Sequence, residues 1–265
     1  MKMVASAKAR AAEEALMAGR PFGESLMSSV SYDDESYKAK FEGEGADLAG
    51  KKQLIVVLTT DKGLCGSVNS TISRMIGGYM DAQTSKGYQV SLFNLGEKGR
   101  SQIVRMHPEI TTMSVVDVFD KEPIFPLAGA IAERICNQDY DVLTFVYNRF
   151  INAASFNTEF RHFPNLASGS SDALAGYEIT PEDVSPAETQ LNLSEFAIGG
   201  ALFYQMLETQ ACEIAQRVTA MDNASSNAKD MVDRFTITYN RARQARITTE
   251  LTEIISGAES LEADE

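Results

Sequence analysis

Residues 54–72 read LIVVLTTDKGLCGSVNSTI: five apolar β-formers from Leu54 to Leu58, a turn holding Gly63 and Gly66, and then a helix-like stretch. An unbroken apolar run bounded by turn residues predicts a strand covered on both faces, as in the middle of a parallel sheet. Strand, glycine turn and helix is also the arrangement whose backbone N–H groups cradle phosphates. The turn therefore poses the first question, whether a nucleotide sits in it.

Reading outward, strand and helix signals alternate. Gln53–Thr59 reads as a strand, Ser67–Met80 as a helix, Tyr88–Asn94 as a strand and Glu97–Met106 as a short helix stopped before Pro108. Thr111–Val116, Pro126–Cys136 and Tyr140–Tyr147 continue as strand, helix and strand, and residues 151–163 can add an edge strand. Such alternation predicts βαβ units and a mainly parallel sheet.

Both ends of the chain read differently. Residues 2–18 are strong helix formers, with Val4 the sole β-branched residue. Gly19-Arg20-Pro21 predicts a kink or weak point, after which the pattern resumes as far as Val30. The helix is already running at Met1 with no cap before it, like a segment entered midway. Residues 31–53 and 164–193 are polar, acidic and linker-like. From Ser194 to Leu261 there is no proline, and only Gly199-Gly200 and Gly257 interrupt the helical pattern. One apolar seam begins Phe203, Leu207, Ala211, Ile214, Val218, Met221 and continues to Ala242 in coiled-coil steps. A helix of that length would reach roughly 100 Å, too long for one compact domain to cover. The N-terminal helix is its intramolecular partner, with Met3, Ala7 and Ala11 placed against Ile214, Val218 and Met221. The expected division is 1–47 (helix and acidic linker), 48–193 (α/β domain and linker) and 194–265 (long helix).

Composition narrows the function classes. The net charge is −13, from 24 basic and 37 acidic residues, which argues against a nucleic-acid binder. Residues 1–30 carry four bases and three acids, and 217–250 six bases and four acids, so both helical ends escape the acidity of the middle. No stretch is apolar enough over ~18 residues to span a bilayer. Cys65, Cys136 and Cys212 lack metal or redox spacing, and His107 and His162 stand far apart in sequence. No metal, cofactor or catalytic set is predicted. The turn TTDKGLCGSVN lacks both GxGxxG and GxxxxGK[ST], because its Lys62 precedes the glycines, and a plain strand-to-helix turn is favoured over a nucleotide site. NLGEKGRS, residues 94–101, is a second and weaker strand-end glycine loop.

The C-terminal stretch is the specific signal. Residues 217–261, RVTAMDNASSNAKDMVDRFTITYNRARQARITTELTEIISGAESL, closely resemble the gamma-subunit family of F-type ATP synthases. MKMVASAK at the start, RPF at 20–22 and TDKGLCGSVN at 60–69 agree with it, and TAMDNAS and EIISGA look mitochondrial more than bacterial. The resemblance implies an antiparallel coiled coil of the terminal helices with a Rossmann-like α/β foot domain that holds no nucleotide. It implies a non-catalytic rotor shaft inside a ring of alpha and beta subunits. The foot would rest on small central-stalk subunits and a membrane proteolipid ring, at the matrix side of the mitochondrial inner membrane. It also implies that Arg243, Gln244, Thr248 and Glu250 touch a beta-subunit loop. Read without the resemblance, the chain leaves two alternatives open, a coiled-coil scaffold and a Rossmann-type enzyme.

Overall fold

The computed structural model describes residues 2–32, 50–165 and 186–262, with the side chains of 186, 187, 190 and 259–262 left aside. Most of both predicted linkers lies outside these residues. The chain divides into two compact units, Met1–Ala220 and Met221–Glu265.

In the first unit, α1 (Lys2–Val30) precedes β1 (Lys52–Leu58), α2 (Val68–Ser85) and β2 (Gln89–Leu95). A short helix α3 (Glu97–Gly99) continues as a π turn over Arg100–Val104 and leads to β3 (Thr111–Val115). Then come α4 (Phe125–Cys136), β4 (Val142–Asn152), β5 (Ser155–Pro164) and the long helix α5 (Pro186–Glu262). The sheet order is β3-β2-β1-β4-β5. Its first four strands are parallel, and β5 returns antiparallel along β4.

The apolar run that opened the sequence is the middle strand, and its residues alternate between two cores. Leu54, Val56 and Leu58 face a core shared with α1, α4 and α5, whereas Ile55 and Val57 face Ile72, Ile76 and Met80 of α2. With both faces covered, a strand has no polar side, which is why no alternation was visible in residues 54–58.

The helices depart from expectation in three places. α1 continues through Pro21 without interruption. An interior proline costs about 3 kcal/mol, so tertiary contacts outweigh it here. Those contacts are close: a Cβ on Gly23 would stand 2.2 Å from Tyr204 Cγ, and one on Gly200 would stand 2.3 Å from Leu26 Cδ2. The Gly199-Gly200 pair likewise fails to break α5, because Gly200 gives Leu26 and Phe22 room to approach while Gly199 lies against Gly129 and Ala132 of α4. Finally, α5 begins at Pro186, ahead of the predicted Ser194, and Pro186 sits at its first position, where a missing N–H costs nothing.

The covered face of α1 also needs correction. Met3, Ala7 and Ala11 are exposed, Met3 at 85%, whereas Ala5, Ala12, Leu16, Gly23, Met27 and Val30 are buried. Steps of three, four and seven run through the observed set, which lies on a different face from Met3, Ala7 and Ala11. Alanine is too abundant in residues 5–18 to fix a phase. On α5, Ile214 is buried, and Val218 and Met221 are half-buried.

His162 is the buried histidine of β5. Thr144 Oγ1 lies 3.0 Å from its Nδ1, and Gln53 Nε2 donates to the same hydroxyl at 2.8 Å. The hydroxyl hydrogen is thus free to donate to a neutral imidazole. Burial, with Arg161 and Lys86 nearby, pulls the His162 pKa down to about 3. The folded chain therefore binds fewer protons than the unfolded one between pH 3 and 6.5, and stability falls as pH drops through that window. We expect unfolding free energy to fall more between pH 7 and 4 in the native chain than in His162→Gln, by about 2–3 kcal/mol. Urea titrations at the two pH values check this, and equal losses would show that His162 is not the acid-sensitive group.

Candidate functional site: the sheet crevice and the long helix

In open α/β sheets ligands bind beyond the carboxyl ends of the strands, where the strand order reverses. Here that point lies between β1 and β4. The chain fills it from several directions.

Asp61, just past β1, ties together the loops that follow β2 and β3, on the side of β1 away from β4. Its Oδ1 accepts from the backbone N–H groups of Glu97 at 2.9 Å and Asp117 at 3.0 Å, and its Oδ2 from that of Phe119 at 2.6 Å. The next N–H groups of the NLGEKGRS loop are also taken: Lys98 donates to Thr60 O at 3.0 Å and Gly99 to Thr59 Oγ1 at 2.8 Å. The N–H groups at the start of α3 are thus bonded to the protein's own acceptors, one of them a carboxylate. The glycines serve this closeness. A Cβ on Gly99 would stand 1.9 Å from Asn94 Oδ1, and one on Gly96, at φ +101°, would stand 2.5 Å from Thr59 O.

The GLCG turn faces α5. Gly63 O accepts from Arg217 Nη2 at 3.3 Å, and Arg217 also pairs with Glu213. Burial pushes the Glu213 carboxyl's pKa up, and Arg217 opposes that rise. Gly66, at φ +61°, lies against Gln216, and Leu64 between the glycines takes the same left-handed conformation at φ +59°. The turn is closed from within by Asn69: its Oδ1 accepts from Thr60 N at 3.0 Å and its Nδ2 donates to Thr60 Oγ1 at 2.8 Å. Asn148 of β4 donates to Val68 O at 3.2 Å, and Cys212 of α5 lies 3.4 Å from Asn148 O. Burial raises the pKa of the thiols of Cys65, Cys136 and Cys212, that of Cys136 to about 11, which suits packing and not nucleophilic chemistry. The turn is a bracket for the long helix.

A second bracket, invisible in the sequence, lies on α1. Glu208 of α5 is wholly buried. Its Oε1 accepts from Arg20 Nη2 at 2.9 Å, Arg20 Nε at 3.2 Å and the Tyr204 hydroxyl at 2.6 Å, and its Oε2 from Phe150 N at 2.7 Å. Arg20 Nη2 donates also to Phe150 O at 3.0 Å. Burial pulls the Arg20 pKa down, but Glu208 more than offsets it. RPF was recognisable as a word at 20–22, but nothing in the sequence paired Arg20 with a residue 188 positions away.

The second unit is a helix whose described side chains beyond Met221 are exposed. Val232, Phe235 and Tyr239 recur at steps of three and four, as do Ile247, Leu251 and Ile254, all between 48% and 68% exposed. Of the predicted contact residues, Glu250 is held by Arg246 at 2.7 Å and Thr248 Oγ1 donates to Gln244 O at 2.9 Å. Arg243 and the Gln244 amide group make no side-chain hydrogen bond among the described residues.

Known proteins complete the picture. A family model described as ATP synthase matches residues 1–261. The mitochondrial ATP synthase F(1) complex gamma subunit of Rattus norvegicus is 36% identical over 99% of this chain and 92% of its own length. The ATP synthase gamma chain of Pelagibacter ubique is 35% identical over 98% of this chain and 92% of its own. A chain of the Tetrahymena thermophila mitochondrial ATP synthase central stalk and c-ring structure superposes with a TM-score of 0.66, at 29% identity, over 85% of this chain and 97% of that one.

Two outcomes are expected. Calorimetric titration of the purified chain with ATP or NAD should give no dissociation constant below about 10 μM, roughly −7 kcal/mol. Asp61→Ala should lower the unfolding free energy by about 2–4 kcal/mol, since three N–H groups lose their acceptor. Tighter binding, or a variant as stable as the parent, would mean that the crevice is not closed as described.

Proposed function

The chain belongs to the gamma-subunit family of ATP synthases, and from that premise we propose that it is the central rotor shaft of a proton-translocating ATP synthase, a subunit that carries no catalytic chemistry of its own. Its foot, the sheet domain, rests with small central-stalk subunits on the membrane proteolipid ring. Its terminal helices stand within the ring of alpha and beta subunits. Proton flow turns ring and shaft together, and the shaft's uneven profile drives the beta-subunit sites through unequal affinities, so that rotation releases ATP. The complex is placed at the mitochondrial inner membrane on the matrix side, with this chain peripheral; mitochondrial relatives support that placement. No helix of the described residues is long and apolar enough to cross a membrane.

The observation that carries this reading is the exposed apolar surface of the second unit. A lone water-soluble helix gains nothing from Phe235, Tyr239, Ile247, Leu251 and Ile254 standing in water; apolar patches of this kind mark binding surfaces. A collar of partner subunits covers them. Among these residues Arg243 and Gln244 supply polar contacts to a beta-subunit loop, with Thr248 and Glu250 beside them. The guanidinium can give a two-pronged bond to a carboxylate, and the amide can both donate and accept.

Charge-assisted bonds contribute roughly 1.5–3 kcal/mol when shielded, enough to lengthen a rotary dwell but too little to hold the shaft. The double variant Arg243→Ala, Gln244→Ala should keep the foot attached while slowing turnover or lowering the yield of assembled catalytic ring. A single-molecule rotation assay checks it. Unchanged ATPase rate, dwell times and yield would place these side chains in solvent.

A further inference from the structure

A shaft that carries torque must be fixed to its foot against sliding as well as separation. Several contacts between α1 and α5 are apolar and close: Gly19 against Leu207, Gly23 against Tyr204, Gly200 against Leu26. Such contacts are non-directional. They resist pulling the helices apart but offer little resistance to displacement along the interface.

The Arg20–Glu208–Phe150 cluster differs in kind. Its three members come from α1, α5 and β4, and each bonds to the other two. Glu208 takes the Phe150 N–H, Arg20 takes the Phe150 carbonyl, and the two side chains take each other. Both backbone polar groups of one residue are thus claimed by the two helices. β1 pairs with β4 only as far as Val146, so at Phe150 the edge of β4 opposite β5 is open and its backbone is available to side chains. Every bond in the triangle is directional, and displacement of any element must stretch at least two of them. A parallel link stands beside it: Arg149 donates to Glu24 of α1 at 2.8 Å and to Glu159 of β5 at 3.2 Å. Buried ion pairs are weak evidence for stability, since apolar residues of similar volume often serve as well. Directional fixing is what apolar residues cannot supply.

We infer that Arg20 and Glu208 are positioning residues for torque transmission, a clamp that locks both shaft helices to one point of the foot sheet. The inference rests on the rotor-shaft reading.

The test uses the assembled complex with its catalytic ring fixed to a surface and a bead on the foot, reading torsional stiffness from the bead's angular fluctuations while rotation is paused. Arg20→Lys keeps the charge beside Glu208 but cannot fork to Phe150 O; stiffness should fall about two-fold with assembly and melting temperature nearly kept. Arg20→Met with Glu208→Leu should soften it further. The control is Gly19→Ala, whose Cβ would meet Leu207 Cδ1 at 2.8 Å: it should lower the melting temperature and leave stiffness unchanged. If Arg20→Lys fails to assemble, the apolar pair carries the comparison. Stiffness equal to the parent in the assembled variants, or lost equally in Gly19→Ala, overturns the clamp. Absence of rotation in the unmodified complex would instead overturn the rotor reading on which the clamp rests.

Discussion

A side-chain carboxyl with no exposed surface must find hydrogen-bond partners for both oxygens, and Glu208 finds them in Arg20, Tyr204 and the Phe150 N–H. Removing one partner would leave a buried charge uncompensated, at a cost of several kcal/mol. The requirement fixes three elements at once. α1 must present Arg20 at the height of Glu208, and β4 must extend to Phe150, well beyond the Tyr147 at which the apolar run ends. Pro21, next to Arg20, is then tolerated because the helix there is held from outside. The glycines at 19, 23 and 200 bring the two helices close enough for the arginine to reach.

The sheet crevice follows the same logic with opposite consequence for chemistry. On one side of β1, Asp61, Thr59 and Thr60 take the N–H groups of the loops after β2 and β3. On the β4 side, where the strand order reverses, Asn69 closes the turn and Asn148 joins it to β4. The face that would have opened to a ligand is instead turned to the long helix, where Arg217 and Gln216 meet Gly63 and Gly66. Strand, turn and helix are retained, and their use is mechanical.

Much of this was legible in the sequence. The strands at 54–58, 89–94 and 142–147 and the helices between them stood out because period and punctuation agree locally. The phosphate motif was incomplete because Lys62 precedes the glycines. What could not be read depended on partners distant in the chain. Pro21 and Gly199-Gly200 looked like breaks because their compensation is tertiary. The phase of α1 was misjudged because alanines occupy several faces, and only the depth of Leu16 and the flatness of Gly23 decide which side is covered. The partners of Arg20 and Asp61 were not visible, since nothing in a sequence shows which backbone groups a side chain will reach.

The central claim is that this chain's exposed helix is made to stand inside a ring of unlike subunits, and stoichiometry addresses that claim most directly. Native mass spectrometry of the complex purified through a tag on this chain should give one copy of it with three alpha and three beta subunits. Recovery of the chain alone, or as a self-paired coiled coil without that ring, would contradict the account.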